Sequence, residues 1–372
     1  MKKAFSALLV LVFVLATPAS ALAAQSKPFE VSGWIPYWRA DAGIADTTLH
    51  IDTFTEINPF GYTVKSDGTL NDELTKNSKL WPLLYTTARQ KNIRIIPTIT
   101  WGSGGTIHAI LSKKASRTAH IQAIVDMVNT NGFDGVDIDY EGKLAETKPY
   151  FSAFLKELYK AMGKKWVTCT IEARTPPESR FSTVPKTLEY ANDFKEINKY
   201  CDRVKFMTYD QGTIDLKLNA VSKPPYMPIA DVRWVEKAIT LASKDIAKKK
   251  ILIGVATYGY EHDMFMSSTT PSGYEYSPLW SFNPGYAVDL AQKMGLAIQR
   301  SAGGEAYISF PAASSTDAIP LPNATRVLTW SDAQAIKAKV DLAKRLGVRG
   351  VAIFKIDGGE DPAMWNALST AR

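Results

Sequence analysis

The chain has 372 residues, with 44 Lys and Arg against 37 Asp and Glu, a formal net charge of +7, and 45% hydrophobic and 22% charged residues. That balance excludes a disordered or fibrous protein, and a mild basic excess with no arginine-rich tract and no nucleic-acid-binding motif excludes that class of partner. The four histidines, His50, His108, His120 and His262, stand in no metal-ligand spacing, so neither a metal nor another cofactor is expected.

At the N-terminus Lys2 and Lys3 precede an apolar run from Ala4 to Ala16, and Ala21-Leu22-Ala23 follows. A basic start, a short apolar stretch and an A-x-A site predict a secretory signal peptide over residues 1–23, cleaved near Ala23. The run is shorter than the ~20 residues of a membrane span. The expectation is a secreted protein, extracellular or associated with the cell wall, without stable membrane insertion.

Beyond the leader, strand-like apolar runs alternate with segments of helical period. Strands are expected near 29–37, 53–60, 93–100, 133–140, 165–172, 203–209, 251–257 and 350–356, and helices near 72–91, 115–131, 147–163, 187–200, 231–248 and 331–346. The last helix has Ser331 as its expected N-cap and Gly347 just past its end. This succession predicts an α/β chain folded as a (β/α)8 TIM barrel over 27–258 and 326–372. A doubly wound sheet is disfavoured, because no G-x-G-x-x-G follows the first strand. Between Thr257 and Ser331 lie about seventy residues, far more than the usual βα loop. A helical run at 286–294 and strand-like pieces at 297–299 and 306–308 predict a small α+β subdomain inserted over 259–325, on the catalytic face. Cys169 and Cys201 allow one disulfide in an oxidising compartment, or two thiols, since Cys169 lies inside an apolar run.

The run Phe133-Asp134-Gly135-Val136-Asp137-Ile138-Asp139-Tyr140-Glu141 carries the chemistry. Alternate residues of a strand share a face, so Asp137, Asp139 and Glu141 point one way, about 6.6 Å apart, while Val136 and Ile138 point the other. Neighbouring like charges in a poorly solvated site push a carboxyl group toward its protonated form, which a general acid needs. Glu141 falls at the strand's C-terminal end, where barrel enzymes place catalysis.

The run matches the D-G-x-D-x-D-x-E signature of glycoside hydrolase family 18, the chitinase-like barrels, at Asp134, Gly135, Asp137, Asp139 and Glu141. Met207-Thr208-Tyr209-Asp210 resembles the family's M-x-Y-D, and the segment from Trp330 to Phe354 resembles its last helix and eighth strand. The compact insertion, Asn58-Pro59-Phe60 and Gly358-Gly359-Glu360-Asp361-Pro362 are most similar to bacterial spore-cortex and cell-wall members of the N-acetylglucosaminidase type. The resemblance implies a monomeric hydrolase of a polysaccharide containing N-acetylglucosamine, peptidoglycan ahead of chitin. The substrate's 2-acetamido oxygen would be the nucleophile, and Glu141 the acid. By the same resemblance Asp139 bonds the acetamido N–H, Asp137 shares a proton with Asp139, Tyr209 donates to the acetamido group, and Asp210 orients a hydroxyl. Met207 belongs to the pocket floor.

Two positions depart from the family pattern. Phe354 stands where many members carry a tryptophan floor, and Trp101-Gly102-Ser103-Gly104-Gly105 is only loosely like the S-x-G-G after the third strand. Trp34, Tyr37, Trp38 and Trp101 lie at strand ends as sugar contacts, and Glu172 as a polar subsite residue. A barrel that binds sugar without cutting it is the alternative from another class, and its members usually lose the acid that Glu141 supplies here. An endoglycosidase of N-linked glycans would share the same chemistry.

Overall fold

A computed structural model describes residues 29–270, 272–312 and 323–371, so the expected leader lies outside the described residues. The main sheet has 10 strands, of which Leu70–Asp72 is an antiparallel appendage and Arg94–Ile95 a short parallel one. The others close into a parallel barrel: β1 (Glu30–Pro36), β2 (Glu56–Val64), β3 (Thr98–Trp101), β4 (Gly135–Tyr140), β5 (Trp166–Glu172), β6 (Arg203–Met207), β7 (Ile251–Ala256) and finally β13 (Gly350–Phe354). β1 pairs with both β2 and β13, which shuts the ring. Every expected strand is present. The third is split, because Pro97 has no N–H to give the ladder and falls between Arg94–Ile95 and Thr98–Trp101.

Alternation divides the barrel strands between two environments. On β4, Val136 and Ile138 are fully buried in the apolar layer with Phe151 and Leu155 of the helix Lys148–Met162. The intervening acids turn toward the barrel axis. Below them, at the strands' N-terminal end, Glu30 is clamped by Arg203 (2.6 Å) and Arg349 (2.8 Å). Cys169 of β5 and Cys201, just before β6, are joined by a disulfide.

Three expected helices are shorter than their apolar period implied, and that expected over 231–248 stops at Ala242. The segment 72–91 is not continuous: a one-turn helix Leu74–Asn77 is followed by Trp81–Gln90. The break falls at Ser78, which is extended and whose Oγ accepts from the Leu80 N–H at 3.0 Å, while Pro82 suits the first turn of the helix that follows. The expected helix 187–200 begins only at Phe194, where the Asp193 side chain accepts from the N–H groups of Lys195 and Glu196. An unexpected helix, Gly104–Leu111, follows β3. The helix Ala333–Leu346 is capped by Asp332, one residue later than expected, and ends at Gly347 with φ 67°.

The segment after β7 forms a second, antiparallel sheet. Its strands are β8 (Gly259–Met266), β9 (Tyr274–Phe282), β10 (Gln299–Arg300), β11 (Ala306–Pro311) and β12 (Thr325–Trp330), in the spatial order β9-β8-β12-β11-β10. Ala287 and Ala291 of the helix Pro284–Met294 pack on Phe282, Ile308, Leu328 and Trp330, giving this sheet its own core. β12 pairs with β8 and β11, so the second sheet extends past residue 325, where the barrel was expected to resume.

Candidate active site

The site is built on β4. Asp137, its deepest acid, is fully buried and surrounded by donors: Trp34 Nε1 at 3.0 Å, Thr98 Oγ1 at 2.9 Å, Thr168 Oγ1 at 2.8 Å and Thr170 Oγ1 at 3.0 Å. These come from β1, β3 and β5, the strands whose inward faces meet it across the barrel. Asp139 is also buried, but its Oδ1 has no hydrogen-bond partner. Burial, then the charges of Glu141 and Asp137, push its carboxyl well above the ordinary range, against Lys143 and a hydrogen bond from Thr100. Among the described residues no hydrogen bond joins Asp137 to Asp139.

Glu141 follows the strand at the barrel mouth, half-buried, with its own N–H donating to the Trp101 carbonyl at 2.9 Å. Burial first, then the charge of Glu172 and beyond it that of Asp210, raise its carboxyl above the ordinary value, while Lys143 opposes. The Lys143 side chain is buried and lies 3.6 Å from Glu172. Burial lowers the Lys143 ammonium, and Glu172, Asp139 and Glu141 partly restore it. Burial would likewise raise Glu172, but Lys143 and the bonds from Asn192 Nδ2 (2.7 Å) and the Gly142 N–H (3.1 Å) hold it below the ordinary range. Two raised carboxyls and one lowered one therefore share a single buried cation.

Tyr209 and Asp210 enter from the end of β6. Burial, then the nearby acids, hold the Tyr209 phenol well above its ordinary value, so it stays a neutral donor. Its ring stacks on Phe354 at 5.7 Å and 18°. Asp210 adopts φ 54° and accepts from the Tyr258 hydroxyl at 2.7 Å, with Tyr260 also bonded to it. Left-handed backbone is tolerated by aspartate, and here it aims the carboxyl into the mouth. Met207 shares the inward face of β6, half-buried against the barrel core.

Two depressions lie at the C-terminal ends of the barrel strands, and Glu141 lines neither of them directly. One, of about 450 Å³, is lined by Trp38, Asp210, Tyr258, Tyr260, Trp280 and Phe354. The other, of about 390 Å³, is lined by Lys143, Glu172, Arg174, Arg180 and Asn192. Asp210 acts on Glu141 from the first, and Lys143 and Glu172 from the second. The charged groups that act on Glu141 thus line an aromatic basin on one side and a polar one on the other.

Two expected sugar contacts lie elsewhere. Trp101 is buried on the helical side, its ring 5.4 Å from His120 and 5.3 Å from Tyr140, with Nε1 donating to Thr106. The parity of β3 decides this, since Thr98 and Thr100 take the inward face. Trp34 does point inward but is only 1% exposed, and it serves Asp137. Tyr37 is half-buried with its ring 5.1 Å from Trp38, and it is Trp38, 47% exposed, that reaches the basin. Sequence reasoning missed Tyr258, Tyr260, Trp280, Lys143 and Lys205. A lysine between Val204 and Phe206 in an apolar strand is itself a signal, because a buried ammonium needs an anion.

Comparison with known proteins agrees with this fold. The chain is 26% identical over 260 residues to the "Cortical fragment-lytic enzyme" of Bacillus subtilis, covering 70% of this chain and 54% of that protein. It is 22% identical to the class V chitinase CHIT5 of Lotus japonicus, covering 93% of this chain and 88% of that one. Among solved structures, the Bacillus cereus spore cortex-lytic enzyme SleL superposes with a TM-score of 0.72 at 20% identity, over 92% of this chain and 74% of that one. The model described as "Glycosyl hydrolases family 18" matches residues 34–359, so the chain belongs to glycoside hydrolase family 18 and is a glycoside hydrolase.

Proposed function

We propose that the chain is a secreted, retaining hydrolase of β-1,4-linked N-acetylglucosamine polymers, acting on peptidoglycan ahead of chitin. The observation that carries this reading is Glu141, a carboxyl at the barrel mouth raised by burial and by Glu172, whose charged neighbours Asp210 and Glu172 each line a depression. A polysaccharide bound across the barrel mouth would bring a glycosidic oxygen to that carboxyl. Glu141 gives its proton to the leaving oxygen as the bond to C1 breaks. The 2-acetamido oxygen of the same sugar forms the new bond to C1, yielding an oxazolinium ion. Water then opens the ring from the face the leaving group vacated, giving its proton back to Glu141, with net retention.

The other residues have roles that fit their surroundings. Asp139, which has an unpartnered buried oxygen, bonds the acetamido N–H. Tyr209, kept neutral, donates to the acetamido oxygen, and Phe354 with Tyr209 makes the floor under the sugar. Asp210, held by Tyr258 and Tyr260, binds a sugar hydroxyl. Met207 fills the floor beside them. The preference for peptidoglycan rests on the cortical and cortex-lytic relatives. The secreted setting rests on the basic-apolar leader of residues 1–23 and on the Cys169–Cys201 disulfide. Mass spectrometry of products from purified peptidoglycan and from chitin oligomers tests the reading. New reducing-end N-acetylglucosamine is expected from peptidoglycan, and products from neither polymer would refute it.

A further inference from the structure

Beneath the acidic row lies a cation that the reaction scheme does not use. Lys205 of β6 is fully buried on the barrel axis, with Nζ 2.9 Å from Glu56 Oε1 and 3.4 Å from Asp137 Oδ2. Its ammonium also lies 5.0 Å from the centre of the Trp34 ring. An isolated buried ammonium is strongly disfavoured, so these two acids must compensate it. Glu56 is shared further, with Ser32 and Asn58 donating to it and Arg94 Nε at 3.6 Å. Burial would raise Glu56, yet Lys205 and Arg94 hold it below the ordinary range. The interior thus contains a linked set, Arg94, Glu56, Lys205 and Asp137, that ends directly under Asp139.

Hydrogen bonding and charge together bear on where a proton fits in this set. Asp137 accepts from an indole N–H and three threonine hydroxyls, with the Lys205 ammonium against the same Oδ2. The indole N–H can only donate, so Oδ2 has no place for a proton, while the threonine hydroxyls on Oδ1 could accept one. The ammonium, 3.4 Å from Oδ2 without a hydrogen bond to it, acts by its charge and favours the proton-free carboxylate. Asp139, one step up the strand, has an oxygen with no partner. We propose that Lys205 is a positioning residue for the hydrolytic reaction, an internal ammonium that keeps Asp137 as the proton-free member of the row and so assigns the shared proton to Asp139 and Glu141. This rests on the hydrolase reading above, since it concerns the protonation of that reading's groups.

The charged groups facing Lys205 are Glu56 from β2 and Asp137 from β4, with Arg94 behind Glu56 and Asp139 above Asp137. The test compares Lys205→Met and Glu56→Gln with the wild type, measuring reducing ends released across pH from a chitin oligomer and from peptidoglycan fragments. Without the ammonium, Asp137 competes for the proton. The acid limb of kcat in Lys205→Met should move up by about one pH unit or more, with KM little changed. Glu56→Gln frees Lys205 for Asp137, so its acid limb should move down. Opposite shifts are the signature, because a merely structural defect lowers activity alike at every pH. Melting curves identify a Lys205→Met protein that does not fold, and Glu56→Gln then decides alone. Unmoved limbs in the folded variants of an active wild type overturn the role of Lys205 and leave the hydrolase reading intact. A wild type inactive on both substrates overturns that reading and this inference with it.

Discussion

The indole N–H of Trp34 donates to Oδ2 of Asp137 at 3.0 Å, which places a buried tryptophan under the acidic strand as one of its supports. Trp34→Phe keeps a ring against Phe354 but removes the donor. The variant should lose about 1–3 kcal/mol of stability, as expected when a buried acceptor loses its partner. Its kcat should fall while KM holds. A several-fold rise in KM with kcat and melting temperature intact would instead make Trp34 a sugar contact.

Glu172 adds to burial in raising the Glu141 carboxyl. Its charge is the largest neighbouring influence raising the Glu141 carboxyl, after burial itself. Replacing it by glutamine removes that charge while keeping an acceptor for the Gly142 N–H. Glu141 then loses its proton at lower pH, so the alkaline limb of kcat/KM should move down. A limb that stays in place or moves up would disconnect Glu172 from the acid. In Glu141→Gln the proton donor is gone, and turnover should fall by about two to four orders of magnitude with oligomer binding retained, as read by calorimetry.

Glu360 makes stability depend on pH away from the chemistry. Burial, then a hydrogen bond with Asp46, raises its carboxyl from 4.5 to about 8. Its Oε2 accepts from the N–H groups of Gly359 at 2.9 Å and Asp357 at 3.2 Å. A carboxyl raised on folding binds its proton more tightly in the native state, so stability is lost as pH rises from 4.5 to about 8. Glu360→Gln cannot ionise. Its melting temperature should gain on the wild type steadily through that window and by a constant amount above it. An advantage independent of pH would show that Glu360 is not protonated in the native fold.

Trp280 of the second sheet and Trp38 of the barrel are 48% and 47% exposed, and both line the aromatic basin. The Trp280 ring is held by Nε1 donating to Glu261 at 2.9 Å, and Glu261 is paired with Arg326 at 2.7 Å. A half-exposed tryptophan fixed in this way suits the apolar face of a sugar. Trp280→Ala should raise KM for long oligomers roughly fivefold, or about 1 kcal/mol, with a smaller effect on kcat. Equal KM values for the two proteins on every oligomer length would remove Trp280 from the binding surface.

The sequence by itself determined the barrel and the acidic row. Both rest on alternation within one strand: Val136 and Ile138 against Asp137, Asp139 and Glu141 is a local pattern, and the pleat fixes its geometry without reference to any other segment. The same rule, applied to Thr98, Ile99, Thr100 and Trp101, would have turned Trp101 outward. Only the tertiary structure decided what each inward group meets. Trp34, Thr98, Thr170 and Lys205 reach Asp137 from four different strands, and closure of the ring sets that registration. The aromatic basin draws Trp38 from the 3-10 turn Tyr37–Arg39 after β1, Phe354 from β13 and Trp280 from β9. No periodicity within a segment encodes contacts across 242 residues of chain between Trp38 and Trp280, because they are made by the packing of one sheet beside another.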